Sequence, residues 1–134
     1  MPAVSLTVSQ ISASASRARV REHSLTMDRP EAKGGGNLGM MGGEALLAGL
    51  GGCLMSNLLA AAVARGIMLS NVTMDVTGQL SDEGPIRFVA ISLLISGESS
   101  APDEFSKLVA IAEKGCIVAN TLRSSVELSV LAAP

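Results

Sequence analysis

Cysteine is the residue type in this chain best suited to chemistry, and the sequence holds two. Cys53 lies in Glu44-Ala-Leu-Leu-Ala-Gly-Leu-Gly-Gly-Cys53-Leu-Met-Ser-Asn57, in the middle of a strongly apolar stretch. Cys116 lies in Ala112-Glu-Lys-Gly-Cys116-Ile-Val-Ala-Asn-Thr-Leu122, just past a helix stop. Two thiols far apart in sequence that meet in space would make a peroxide-reducing pair, one to attack and one to resolve. The thiolate is the nucleophile, and a free cysteine has a pKa of about 8.5. Burial of Cys53 inside an apolar helix would push that value up, because desolvation penalises the charged form. An adjacent guanidinium would reverse the shift and could hold a peroxide oxygen with its forked donors. Arg17 and Arg19 are the candidates, with Arg21 and the loop residue Arg29 behind them. Glu44 could hold such an arginine through a bidentate bond, or it could only complement a helix dipole. The bland alternatives are equally definite. A buried cysteine in an Ala/Leu/Gly helix is commonly a small hydrophobe, Cys116 could simply pack, and a row of strand arginines is commonly a solvated face.

These residues must be positioned by a single domain spanning residues 1–134, the organisation that the length favours. Apolar residues make up 48% of the chain, yet Phe88 and Phe105 are its only aromatics. The core must be aliphatic, with Met filling gaps. A net charge of −2 and the scarcity of rings argue against nucleic acid as a partner. One histidine, His23, and two distant cysteines give no metal-ligand spacing. Gly34 to Gly36 lacks the Lys and Ser/Thr of a phosphate loop, so no cofactor is expected. Two cysteines do not make a secreted disulfide framework. Met1-Pro-Ala-Val-Ser-Leu-Thr-Val has neither the basic nor the apolar region of a signal peptide. The expectation is a reducing cytoplasm, where thiols are more often catalytic or inert than bridged.

Alternation of Val4, Leu6 and Val8 with polar residues predicts a first strand. Arg17 to Arg21 predicts a second, with the arginines on one face and Ala18 and Val20 on the other. His23 to Met27 predicts a third. A Pro- and Gly-rich loop follows, and Met40 and Met41 near its end either line a substrate path or pack. Glu44 to Arg65 reads as a long helix, acidic at its start and stopped by Gly66. It is apolar all round, so it must be buried or span a bilayer. Its Ala and Gly content, and the ordinary patterns elsewhere, favour burial over a membrane. Because a small domain cannot easily cover every face of such a helix, an intertwined homodimer is expected. Val72 to Leu80 and Ile86 to Ser96 predict two further strands, with Phe88, Ala90 and Ser92 opposite Val89, Ile91 and Leu93. A helix starting near Ser99 carries the stripe Phe105, Leu108, Val109 and Ala112 and ends at Lys114-Gly115. Val126 to Leu131 predicts a closing strand.

The order of these elements and the settings of both cysteines resemble the OsmC/Ohr family of thiol-dependent peroxidase-like proteins. The resemblance is carried by His23-Ser-Leu-Thr-Met-Asp-Arg-Pro30, Gly34 to Gly36, the Glu44 to Cys53 run, Gly66-Ile-Met-Leu-Ser-Asn-Val72, Ala112-Glu-Lys-Gly-Cys116-Ile-Val and Asn120-Thr-Leu-Arg123. It implies an α+β fold, with sheets wrapped around long central helices in a homodimer. It also implies that Cys53 attacks an organic hydroperoxide and becomes a sulfenic acid, that Cys116 condenses with it to a disulfide, and that a dithiol or lipoyl protein reduces the pair. The sequence departs from the peroxidase branches in three places. Their activating arginine falls near Ser12 here, the helix-opening carboxylate is shifted by one residue in Gly42-Gly-Glu44, and Ile117 stands where many relatives have Pro.

Overall fold

The computed structural model describes residues 1–124 and 128–129, so the strand expected over 126–131 falls largely outside the described residues. The chain divides into two compact units, Met1–Leu47 and Ala48–Pro134.

The first unit is built on an antiparallel sheet of β1 (Thr7–Gln10), β2 (Ser16–Val20) and β3 (His23–Met27), in that order. Its register sets Thr7, Arg19 and Ser24 abreast, with Ser9, Arg17 and Thr26 on the same face. Val8, Ala18 and Leu25 occupy the other face, as the alternation predicts. Arg21 leaves the arginine row because it sits at φ 52° in the turn between β2 and β3. β1 begins later than the sequence suggests, since the register carries Val4 to the level of that turn.

The loop after β3 is anchored by buried Asp28. Its carboxylate accepts the N–H groups of Arg29 (2.7 Å), Gly36 (3.0 Å) and Leu38 (3.2 Å). Burial works against its charge, but the Ser14 hydroxyl and these three amides outweigh that and hold Asp28 below the usual carboxylate range. A Gly-rich loop thus has one fixed centre to which its backbone donors converge.

Helix α1 (Gly42–Ala64) runs 23 residues. At its start the Glu44 Oε1 accepts the Met41 N–H at 2.8 Å, the returning half of a capping box. At its end Gly66 takes φ 66°, and the N–H groups of Gly66 and Ile67 close on the carbonyls of Val63 and Ala62. Only a residue without Cβ adopts this left-handed stop freely, which is why the helix ends where the glycine stands.

In the second unit, β4 (Leu69–Leu80) and β5 (Phe88–Ser99) form a long antiparallel hairpin, followed by α2 (Phe105–Lys114) and α3 (Ile117–Arg123). A 3-10 turn at Pro102–Glu104 takes the place of the earlier helix start read from the serine and proline signals. Met74, Val76, Ile91, Leu93 and Ile95 are among the half-buried positions of the hairpin. Leu58, Ala61 and Ala62 of α1 pack with Leu108 and Ala112 of α2 into one core cluster. Leu50 and Leu54 pack with Cys116 and Ala119 into a second. Leu58 is 0% exposed, a burial that contributes about 1.5–3 kcal/mol. The register shifts between Gln79 and Leu80, which leaves Val89 as the extra residue of a bulge. Phe88 therefore joins Ile91 on the half-buried side, against the simple alternation, and Gly78 makes room for it. A Cβ at Gly78 would lie 2.5 Å from the Phe88 ring.

α1 covers only part of its own apolar circumference. Leu59 remains 42% exposed and Val63 79% exposed.

Candidate active site at the two cysteines

Helical spacing puts Leu50, Cys53, Leu54 and Asn57 on one face of α1. Opposite that face is the corner between α2 and α3. Gly115 and Cys116 make the corner, and Cys116 is the N-cap of α3, in an extended conformation with φ −80° and ψ 113°. Its Sγ accepts the Ala119 N–H at 3.4 Å. The Cys116 side chain is 0% exposed, while Cys53 is half-buried. Around them lie Leu50, Leu54, Met74, Ile91 and Leu93, an aliphatic setting.

The two cysteines are free and pack together in one cluster. The neighbouring Val118 amide, then the Cys116 side chain and the Ile117 amide, draw the Cys53 pKa below the ordinary thiol value against the opposing effect of burial. Ile117 and Val118 are the first residues of α3, whose N–H groups have no acceptor inside the helix. Burial pushes Cys116 the other way, and its proximity to Cys53 adds to the rise, although the Ala119 and Val118 amides pull against it. The pair is thus polarised. As pH rises Cys53 ionises first, and Cys116 keeps its proton to more alkaline pH. Burial raises the Cys53 pKa, as its apolar setting leads one to expect, but the neighbouring amides and the Cys116 side chain outweigh it.

One consequence is directly measurable. Cys53 alkylation by iodoacetamide should rise with pH through a midpoint below the ordinary thiol value, with Cys116 reacting only at more alkaline pH. Peptide mass spectrometry resolves the two profiles, and a Cys53 midpoint at or above the free-thiol value would contradict the polarity just described.

Of the residues singled out from sequence, the structure brings Cys53 and Cys116 together. Arg17, Arg19 and Glu44 belong to the first unit. Arg17 donates from Nε to Thr26 Oγ1 at 3.4 Å across the β2–β3 pair, Arg19 shares its face, and Glu44 caps α1. Met41 lines an open cavity of that unit with Ser14, Ser16, Met27, Asp28 and Arg29. The amides of Ile117 and Val118 were missed because α3 has little signature. It is seven residues long, with no acid in its first turn and a cysteine where Ser, Thr, Asp or Asn would normally cap.

The OsmC-like protein family matches residues 34–130. The chain belongs to this family. Solved structures agree on the α+β fold. An OsmC-like protein from Mycoplasma pneumoniae is 24% identical, with a TM-score of 0.78 over 91% of this chain and 88% of the other. An organic hydroperoxide resistance protein OsmC from Legionella pneumophila is 19% identical, with a TM-score of 0.60 over 92% of each chain. An organic hydroperoxide resistance protein from Elizabethkingia anophelis, crystallised with thiocyanate bound, is 14% identical, with a TM-score of 0.60 over 94% of this chain and 93% of the other. A search of curated proteins gave no match. By length and composition α1 could cross a membrane. In this OsmC-like protein it is a core helix, with Leu50, Leu54, Leu58, Ala61 and Ala62 buried.

Proposed function

We propose that this OsmC-like protein is a cofactor-free, thiol-dependent peroxidase that reduces organic hydroperoxides. The observation that carries the reading is that the fold packs Cys53 against Cys116 in one cluster, with opposite pulls on their ionisation. The Cys53 thiolate attacks the distal peroxide oxygen and the O–O bond breaks. The organic alkoxide leaves and takes up a proton as the alcohol, and Cys53 becomes a sulfenic acid. The Cys116 thiol then condenses with it, forming the disulfide and releasing water. A dithiol or lipoyl-type reductant returns both thiols. The aliphatic surroundings, Leu50, Leu54, Met74, Ile91 and Leu93, favour an alkyl or lipid peroxide over hydrogen peroxide. The same reading gives the peroxide oxygen an arginine partner, Arg17 or Arg19, with Glu44 as its anchor. It places the protein in a reducing cytoplasm as a homodimer, supported by the apolar face of α1 that the chain leaves uncovered. Proteins of this fold that bear the name organic hydroperoxide resistance protein support the substrate class.

Titration of free thiols in the reduced protein, before and after one equivalent of cumene hydroperoxide, tests the reading. Loss of both thiols, with a Cys53–Cys116 disulfide by mass spectrometry, is expected. Two unchanged thiols would favour a non-catalytic dimer that binds a small apolar or thiol ligand.

A further inference from the structure

We infer that Asn57 is a positioning residue for the cysteine pair: its side-chain amide ties the end of α2 to α1, one turn beyond Cys53, and so fixes where Cys116 packs against Cys53. The inference rests on the proposed thiol chemistry.

A helix leaves its last carbonyls without partners of its own. In α2 the Ile111 carbonyl takes the Gly115 N–H at 3.4 Å, and the Glu113 carbonyl takes the Cys116 N–H at 3.2 Å. The Lys114 carbonyl accepts from Asn120 Nδ2 of α3 at 3.1 Å. The Ala112 carbonyl accepts from Asn57 Nδ2 at 3.2 Å. Of these four bonds, the one from Asn57 reaches α1. Ala112 is 3% exposed, so water is a poor substitute at that carbonyl. The remaining contacts between the helices, through Leu58, Leu108 and Ala112, are apolar and non-directional. They hold α2 against α1 without setting its register. A hydrogen bond from Asn57 does set it, because Asn57 lies four residues after Cys53 and Ala112 lies four before Cys116. The corner also passes close by: a Cβ on Gly115 would sit 3.5 Å from Asn57 Nδ2. Asn120 braces the same corner from α3, but its bond is exposed, so water can take its place.

The test compares wild type with Asn57→Leu, which keeps bulk and removes the donor, and Asn57→Gln, which keeps a donor. Two readouts are taken: the pH profile of Cys53 alkylation, and the rate of disulfide closure after one equivalent of cumene hydroperoxide. Asn57→Leu should move the Cys53 midpoint up toward the ordinary thiol value and slow closure by about tenfold or more, since small misplacements of reacting groups are costly. Asn57→Gln should recover part of both. If Asn57→Leu does not fold, as judged by circular dichroism, Asn57→Ala is read by the same criteria. A wild-type profile and closure rate in the donor-less variant would overturn the positioning role while leaving the peroxidase reading intact. An ordinary Cys53 midpoint and no closure in wild type would overturn both.

Discussion

Cys53→Ser should lower the rate of organic hydroperoxide reduction by at least about a thousandfold, because the hydroxyl lacks the low pKa and the nucleophilicity of a thiolate. The donors at this position magnify the contrast. The Val118 amide, the Cys116 side chain and the Ile117 amide lower the pKa of a thiol. The same donors cannot bring a serine alkoxide into the working range. The substitution is conservative for the fold. Cys53 is half-buried, serine is of similar size, and its oxygen can accept the same N–H groups. The variant should match wild type in circular dichroism and in mass by light scattering. Peroxide consumption followed under identical conditions gives the result. Turnover retained at the wild-type rate would remove Cys53 from the mechanism and with it the proposed function.

Much of this arrangement is legible in the sequence, and the parts that are not have physical reasons. α1 announces itself by an acid at its start, a continuous apolar run and a terminal glycine, each a local signal. β2 and β3 follow from strict alternation. The bulge at Val89 does not, because an extra residue on one strand changes the facing of Phe88 without changing composition. α3 escapes because its stability comes from burying Ala119 beside Leu50 and Leu54, a long-range contact, and not from capping or propensity. The pairing of Cys53 with Cys116 is anticipated only through the family resemblance, since nothing near either residue encodes the other. The activating amides are backbone groups, so no residue type could have pointed to them. The same is true of the Ala112 carbonyl. Asn57 is visible in the sequence only as a polar interruption of an apolar helix, and its partner becomes evident once α2 is seen to end beside it.

Cys116→Ser should separate the two halves of the cycle. In the folded chain Cys116 caps α3 through its sulfur, which accepts the Ala119 N–H. Serine is a better N-cap than cysteine, so the helix and its amides should stay in place. Attack on peroxide should therefore proceed, and one equivalent of cumene hydroperoxide should convert Cys53 to a sulfenic acid. Without a second thiol the condensation has no nucleophile, and the sulfenic acid should persist until dimedone traps it or excess peroxide carries it to the sulfinic acid. Wild type under the same treatment should end as the intramolecular disulfide and resist dimedone. The two cysteines already pack in one cluster, and the Cys116 proton leaves as part of the water formed when the S–S bond closes. Burial that keeps Cys116 protonated thus suits it to wait for the sulfenic acid and not to compete for the peroxide. Equal dimedone labelling of wild type and Cys116→Ser after one equivalent would show that Cys116 does not resolve the intermediate, and absence of any adduct in the variant would show that Cys53 does not form one.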